Sequence, residues 1–304
     1  MINICRIDRR SGHTRFYLFG LKLISFRTGF FDLSYICRME TSYVRDIKIF
    51  KFLLQNKPAF STLILGSSHA RDDFVCDEQS FNLSGASLDL YRIYHLYLWA
   101  MKNNSSFVQN VIVFYDVFSP GLQLEKTKHA LRCVPYKLFY QIPYAFELTA
   151  ETVKKEKSFI KKLKKAYDKT PATESSYRGN VEQVQYPEGS EGIQKKVEGH
   201  LKNNTRRNNQ TKYIEKLAKE TQKRGQNLYV ITPPYRSDYS SLLPPYETLF
   251  AELLQVLQKN PNVILLNFQN DTDFDDTDFY DADHLNNKGA LKLTEKIKTH
   301  LKQL

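Results

Sequence analysis

Two short runs, far apart in the chain, carry the residue types of nucleophilic acyl chemistry: residues 66–70 read GSSHA and residues 281–284 read DADH. A serine hydroxyl is a weak nucleophile until a base takes its proton. Where a strand gives way to a tight turn, a serine is exposed and has backbone N–H groups beside it to face a developing oxyanion. Gly66 allows such a turn. Alone the run is weak evidence, because serine-rich turns after strands are common without chemistry. The second run changes the balance. Asp281 and His284 are three residues apart, so a short turn brings the carboxylate against the imidazole and leaves the other ring nitrogen directed at a distant serine. His284 is then the general base toward Ser68 and afterwards the general acid toward the leaving group, while Asp281 fixes its tautomer. Asp283 is the competing orienter, at a spacing that points it away from the ring more often than toward it. His69, adjacent to the serine, is badly placed to act as its base and is assigned to shape or substrate contact. Arg71 and Asp72 have two readings, contact with a polar substrate or a surface salt bridge.

These residues need a frame that delivers them to one place, and the chain has the rhythm of one. Short apolar runs at 61–65, 80–83, 111–115, 227–231 and 262–266 read as strands, each ending at small or polar residues. Helical periods over 88–101, 145–167, 210–224, 246–258 and 287–301 alternate with them, the last with Leu291, Ile297 and Leu301 along one side. Strands separated by helices predict a three-layer α/β/α sandwich with a mostly parallel central sheet, whose sites lie at the carboxyl ends of the strands. Residues 1–58 read as an N-terminal extension with a short hairpin at 16–26, bent near Gly20. Residues 59–304 read as the main domain, carrying a lysine- and tyrosine-rich insertion at about 126–210 with a loop-like stretch at 173–192. Residues 232–235 (TPPY) close a strand as a rigid wall. No GxGxxG or GxxxxGK[ST] loop is present, which disfavours nucleotide folds with the usual phosphate loop.

The combination of GSSHA after the first core strand, NLSGAS at 82–87 after the second and FYDADHLNNKGA at 279–290 before the last helix resembles the SGNH, or GDSL-like, hydrolase superfamily. It is most similar to members found with bacterial surface-polysaccharide and teichoic-acid modification. The resemblance covers about 61–301, with a diffuse lysine-rich middle. It implies a flavodoxin-like architecture, Ser68 as nucleophile in a Gly-x-Ser run, Asp281 and His284 as its partners, and an oxyanion hole from the backbone N–H groups of Ser68 and Gly85. Asn286 and Gly289 match the continuation, Asn286 tying the turn and Gly289 letting the last helix approach the sheet closely. One departure stands out. Where the family offers a third donor, an asparagine side chain, this chain has Asp116, and an ionised Asp116 would repel an oxyanion. Loss of one such donor costs about 3–4 kcal/mol in a site built around it. Asp116 is therefore placed with the possible substrate contacts, beside His69 and Arg71.

At 304 residues, with 41% hydrophobic and 25% charged, the chain can bury a large core and is neither low-complexity nor wholly disordered. Its 13% aromatic content is read first as core. The net charge of +11 is unevenly placed: 154–169 is strongly basic and 271–283 acidic. The basic stretch could meet an anionic membrane surface, an acidic polysaccharide or nucleic acid, or be a solvated helix face, and nucleic acid is the disfavoured partner. The acidic run lacks the glycine and terminal glutamate of the twelve-residue calcium loop, so no metal is expected, and no cofactor. Cys5, Cys37, Cys76 and Cys133 lack metal-ligand spacing and read as reduced, mostly buried thiols. The apolar run at 16–24 is too short to span a membrane, which sets the expectation of a cytoplasmic protein, peripheral to the membrane's inner face at most. The expected function is acyl-ester hydrolysis or O-acyl transfer, most naturally of acetyl groups on a bacterial polysaccharide or its precursor. The alternative is an SGNH-fold carbohydrate-binding or assembly protein without efficient turnover.

Overall fold

The computed structural model describes residues 5–10, 13–18, 21–27, 33–104, 108–170, 190–205 and 210–301. The chain forms two compact units, Met1–Arg45 and Asp46–Leu304. The first holds a three-stranded antiparallel sheet of β1 (Cys5–Arg10), β2 (His13–Leu18) and β3 (Leu21–Arg27), in that order. The expected hairpin is the β2–β3 pair; Gly20 itself lies outside the described residues. The 24-residue helix α1 (Leu33–Asn56) was not anticipated, because Arg38, Arg45, Lys48 and Lys51 break up its apolar pattern.

The second unit is a five-stranded parallel sheet flanked by helices, a three-layer α/β/α sandwich. Its strands are β4 (Thr62–Leu65), β5 (Ser80–Asn82), β6 (Asn110–Phe114), β7 (Asn227–Thr232) and β8 (Val263–Asn267), in the order β5-β4-β6-β7-β8. Each lies within one or two residues of its expected span. The helices between them are α2 (Ser68–Asp73), α3 (Leu90–Asn104), then α4 (Cys133–Phe139), α5 (Ala150–Lys169), α6 (Ser190–Asn204) and α7 (Lys212–Lys223) in the long β6–β7 connection. After β7 come α8 (Ser237–Ser240), α9 (Tyr246–Leu249) and α10 (Ala251–Lys259), and after β8 comes α11 (Asn287–Leu301). The expected loop at 173–192 falls outside the described residues except at its end, where Ser190 already opens α6. Among the described residues, no helix is long and apolar enough to cross a membrane.

The sheet is covered on both faces, which is why its strands read as unbroken apolar runs. Ile64, Ile112, Phe114, Tyr229, Ile231 and Leu266 form one face, against Ala70 of α2 and Ala290, Leu293 and Ile297 of α11. The alternate residues Leu63, Leu65, Val111, Val113, Leu228 and Val230 are equally buried and point the other way, toward the layer in which α7 touches β7 and α10 touches β8. Leu291 is not in the buried stripe of α11: it is 53% exposed, and Thr294 takes the place beside Leu293.

The strand order puts a reversal between β4 and β6. The chain leaves β4 for β5 on one side, then crosses to β6 on the other, opening a crevice at the carboxyl ends of this pair. A buried ion cluster fixes the segment after β6. Arg92 on α3 contacts Asp89 at 2.6 Å and binds both oxygens of Glu125. Asp89 also caps α3 by accepting from the Arg92 N–H at 3.0 Å and accepts from the Leu124 N–H at 2.9 Å. Removing the guanidinium would leave two buried acids uncompensated. Arg92→Met should therefore cost about 3–5 kcal/mol, read as a lower urea midpoint, with Lys102→Met on the exposed end of the same helix unchanged.

Candidate active site

Gly66 ends β4 at φ 153°, where a Cβ would stand 2.5 Å from the Cβ of Ala70 and 2.9 Å from that of Phe114. Glycine thus lets α2 start hard against β6. Ser68, expected in a turn, is instead the first residue of α2, with Ser67 as N-cap and the Arg71 N–H donating to the Ser67 carbonyl at 3.1 Å. That position puts the Ser68 N–H among the unpaired donors of a helix start.

The 281–284 turn meets it from the other end of the chain. Asp281 Oδ1 accepts from the backbone N–H of Asp283 at 3.0 Å and of His284 at 2.8 Å, a side-chain closure that curls the segment. The next N–H, of Leu285, donates to Asp73 of α2 at 3.0 Å and pins the turn to the serine helix. Asn286 caps α11, accepting from the N–H groups of Lys288 and Gly289 at 3.0 and 3.1 Å. Gly289 permits a close approach, but to the Asp278 carbonyl, 2.3 Å from where a Cβ would be, rather than to the sheet.

The outcome is a serine–histidine–aspartate chain. His284 Nε2 lies 2.9 Å from Ser68 Oγ, and its Nδ1 lies 3.1 Å from both oxygens of Asp281. Asp283 also faces the ring, contrary to its expected orientation, with Oδ1 3.3 Å from Nδ1. The double closure by Asp281 turns residue 283 inward, where it is 1% exposed.

His69 and Asp116 lie behind this chain rather than at an open surface. His69 is 1% exposed and stacks on His284 at 4.5 Å with an interplanar angle of 13°. Its Nδ1 is 2.9 Å from Asp116 Oδ1 and its Nε2 3.5 Å from Asp283 Oδ2, both off line for a hydrogen bond. Asp116 accepts a short hydrogen bond from Ser67 Oγ and is fully buried. Tyr235, in the wall read at 232–235, sets its ring edge-on to His69 at 5.8 Å. Arg71 is engaged by Asp72 through two 2.6 Å bonds. Gly85, the second expected oxyanion donor, gives its N–H to the Gly66 carbonyl at 3.2 Å, so an oxyanion there must compete with that bond.

Two residues at the site, Lys196 and His200, carry no signal in the sequence that singles them out. From α6, Lys196 Nζ reaches Asp283 at 2.6 Å and Asp281 at 3.2 Å, and His200 Nδ1 lies 2.6 Å from the Tyr239 hydroxyl. The sequence shows only their place in the irregular, lysine-rich insertion at about 126–210. The acidic run at 271–278 is held by the lysines of α11, with Lys296 on Asp271 and Asp273 and Lys288 and Lys292 on Asp278. His69, Asp283 and His284 bring ligand-type atoms within 4.8 Å of one another. The two rings are nearly parallel, however, so their in-plane lone pairs run side by side instead of converging as tetrahedral metal ligation needs.

Electrostatics follow from this burial. Desolvation would lower the pKa of His284, but the Asp283 carboxylate, joined by hydrogen bonds to Asp281 and Asp283, outweighs it and holds the ring up at about 10. Burial would raise Asp281 and Asp283; contact with His284 keeps both below the usual carboxylate range, Asp283 well below. His69 follows the same pattern: burial lowers it, Asp116 and Asp283 raise it more, and the result is well above an ordinary histidine. His200 goes the other way, lowered to about 4 by burial, with Asp283 opposing. At neutral pH His284 is therefore an imidazolium that donates from Nδ1 to Asp281 and from Nε2 to Ser68.

Comparison with known proteins gives no match: no family model, no curated protein and no solved structure. A histidine raised by a neighbouring anion loses that shift when the anion is neutralised. NMR titration should place the His284 midpoint near 10 and show it moving down, toward the ordinary histidine range, in Asp283→Asn.

Proposed function

We propose that the protein is a serine-dependent acyl-ester hydrolase or O-acyltransferase of the SGNH type, acting on acetyl groups of a bacterial polysaccharide or its precursor. The observation that carries the reading is His284 bridging Ser68 Oγ at 2.9 Å and Asp281 at 3.1 Å. In the neutral form of His284, Nε2 accepts the Ser68 proton as Oγ attacks the acyl carbonyl carbon. The tetrahedral oxyanion forms beside the N–H of Ser68 at the start of α2, with Gly85 as the second donor once it yields its bond to Gly66. The intermediate collapses to acyl-Ser68, and the imidazolium returns the proton to the departing alcohol. Water then gives hydrolysis and a sugar hydroxyl gives transfer, with His284 again taking the attacking proton. Because the base form appears only above the His284 pKa, turnover rises with pH toward about 10.

The donor inventory favours a second reading, a carbohydrate-binding or assembly protein without efficient turnover. The Gly85 N–H is engaged, and the place of the family's asparagine is held by Asp116, whose carboxyl faces Ser67 and His69. A cytoplasmic setting belongs to the same proposal, with peripheral membrane contact through lysines exposed along α5.

Intact-mass spectrometry after exposure to an activated acetyl ester separates the two. The first reading expects acetylation of Ser68, absent in Ser68→Ala and slowed at least about a thousandfold in His284→Asn. An unmodified wild-type chain with no ester turnover between pH 7 and 10 rejects it in favour of the second.

A further inference from the structure

We infer that Lys196 is a positioning residue of this site, and that the lysine-rich connection between β6 and β7 supplies it to hold Asp281 and Asp283 together around His284. The clustering creates a problem that this lysine answers. Two carboxylates two residues apart face the same ring nitrogen, Asp281 at 3.1 Å and Asp283 at 3.3 Å, and each repels the other's charge. His284 has a single Nδ1–H to share between them. The Lys196 ammonium has three donors and bridges the pair, 2.6 Å from Asp283 Oδ1 and 3.2 Å from Asp281 Oδ2. Its side chain is 19% exposed, so the bridge is only partly screened by water.

The other charged and titratable groups around His284 come from every neighbouring element. Its own turn contributes Asp281, Asp283 and the Tyr280 ring, stacked at 5.4 Å. From α2 come Ser68, His69 and Asp73, and from the end of β6 comes Asp116, behind His69. From α6, besides Lys196, comes His200, 3.9 Å from Asp283 and held by Tyr239 of α8. Among the described residues, Lys196 is the one permanent cation in contact with both carboxylates that face Nδ1. Taking it away removes a positive charge beside both carboxylates and leaves more of their field on His284, which favours the protonated ring.

The test uses the full chain and two readouts: NMR titration of the His284 imidazole and the pH profile of acylation by an activated acetyl ester. In Lys196→Met the His284 midpoint should rise by about one unit, the size expected of one charge a few ångströms away. Acylation at pH 8 should then fall about tenfold and recover at higher pH, the factor that one pKa unit sets. Lys196→Arg should keep the wild-type midpoint, as should Lys195→Met at the exposed neighbouring position. A folded Lys196→Met whose His284 midpoint does not move overturns the inference. If that variant does not fold, Lys196→Gln carries the test with the same expected shift. A chain that folds only with a cation at position 196 also overturns it, leaving a purely structural ion bridge. The kinetic arm rests on the acyl-transfer reading; the titration arm does not. An upward midpoint shift without any Ser68 acylation would therefore reject that reading and leave the placement of Lys196 standing.

Discussion

The site is organised by the burial of one carboxylate. Asp283 is almost fully enclosed, and an uncompensated anion there would cost several kcal/mol. Its two oxygens collect partners from three parts of the chain: His284 in its own turn, His69 at the start of α2 and Lys196 from α6. Each partner is in turn tied to something else. His284 reaches Ser68, His69 reaches Asp116, and Lys196 reaches Asp281. The Ser68–His284 pair is thus the half-buried edge of a buried ionic cluster. The rigidity that keeps Nε2 within 2.9 Å of the serine comes from the need of these charges for one another.

The sheet makes that cluster possible by bringing its members to one crevice. Parallel strands send all their carboxyl ends the same way, and the order reverses at β4 and β6, so the segments leaving those two strands meet. Ser67, Ser68 and His69 leave β4, and Asp116 leaves β6. Gly66 removes the one side chain that would keep α2 off Phe114. From the far end of the chain, the 281–284 turn is locked to α2 through the Leu285 N–H and Asp73. Burial pushes the Asp73 carboxyl well above its usual range, against the opposing pull of His69 and His284.

How much of this could be read in the sequence depended on whether a local pattern carried it. The five core strands were legible because a strand covered on both faces must be apolar throughout, and runs such as Val111, Ile112, Val113 and Phe114 have no other economical reading. Ser68, Asp281 and His284 were legible as a group because the three-residue spacing of Asp281 and His284, together with the resemblance of the flanking runs to one family, pointed them at one another. Asp283 was misjudged from its spacing alone, since its direction is set by two backbone bonds to Asp281 that no spacing rule contains. Lys196 and His200 were hidden for another reason. In a helix full of lysines, the one lysine that turns inward is distinguished only by what stands opposite it. The same is true of Arg92, an arginine buried against the cap of its own helix, Asp89, and against Glu125 from a distant segment.

The distance along the chain between Ser68 and His284, 216 residues, has a consequence for biosynthesis. At ordinary ribosome speeds of about 5–20 residues per second, the serine helix precedes its base by roughly 10–40 s. During that interval β4, β5 and β6 can begin to pair, but the hydroxyl has no proton acceptor and His69 lacks Asp283. The nascent sheet therefore carries the serine without the rest of its hydrogen-bonded chain. The Ser68–His284 contact is completed by the same docking step that closes the sandwich with β8 and α11, so only a chain whose core is complete holds the assembled serine–histidine–aspartate geometry.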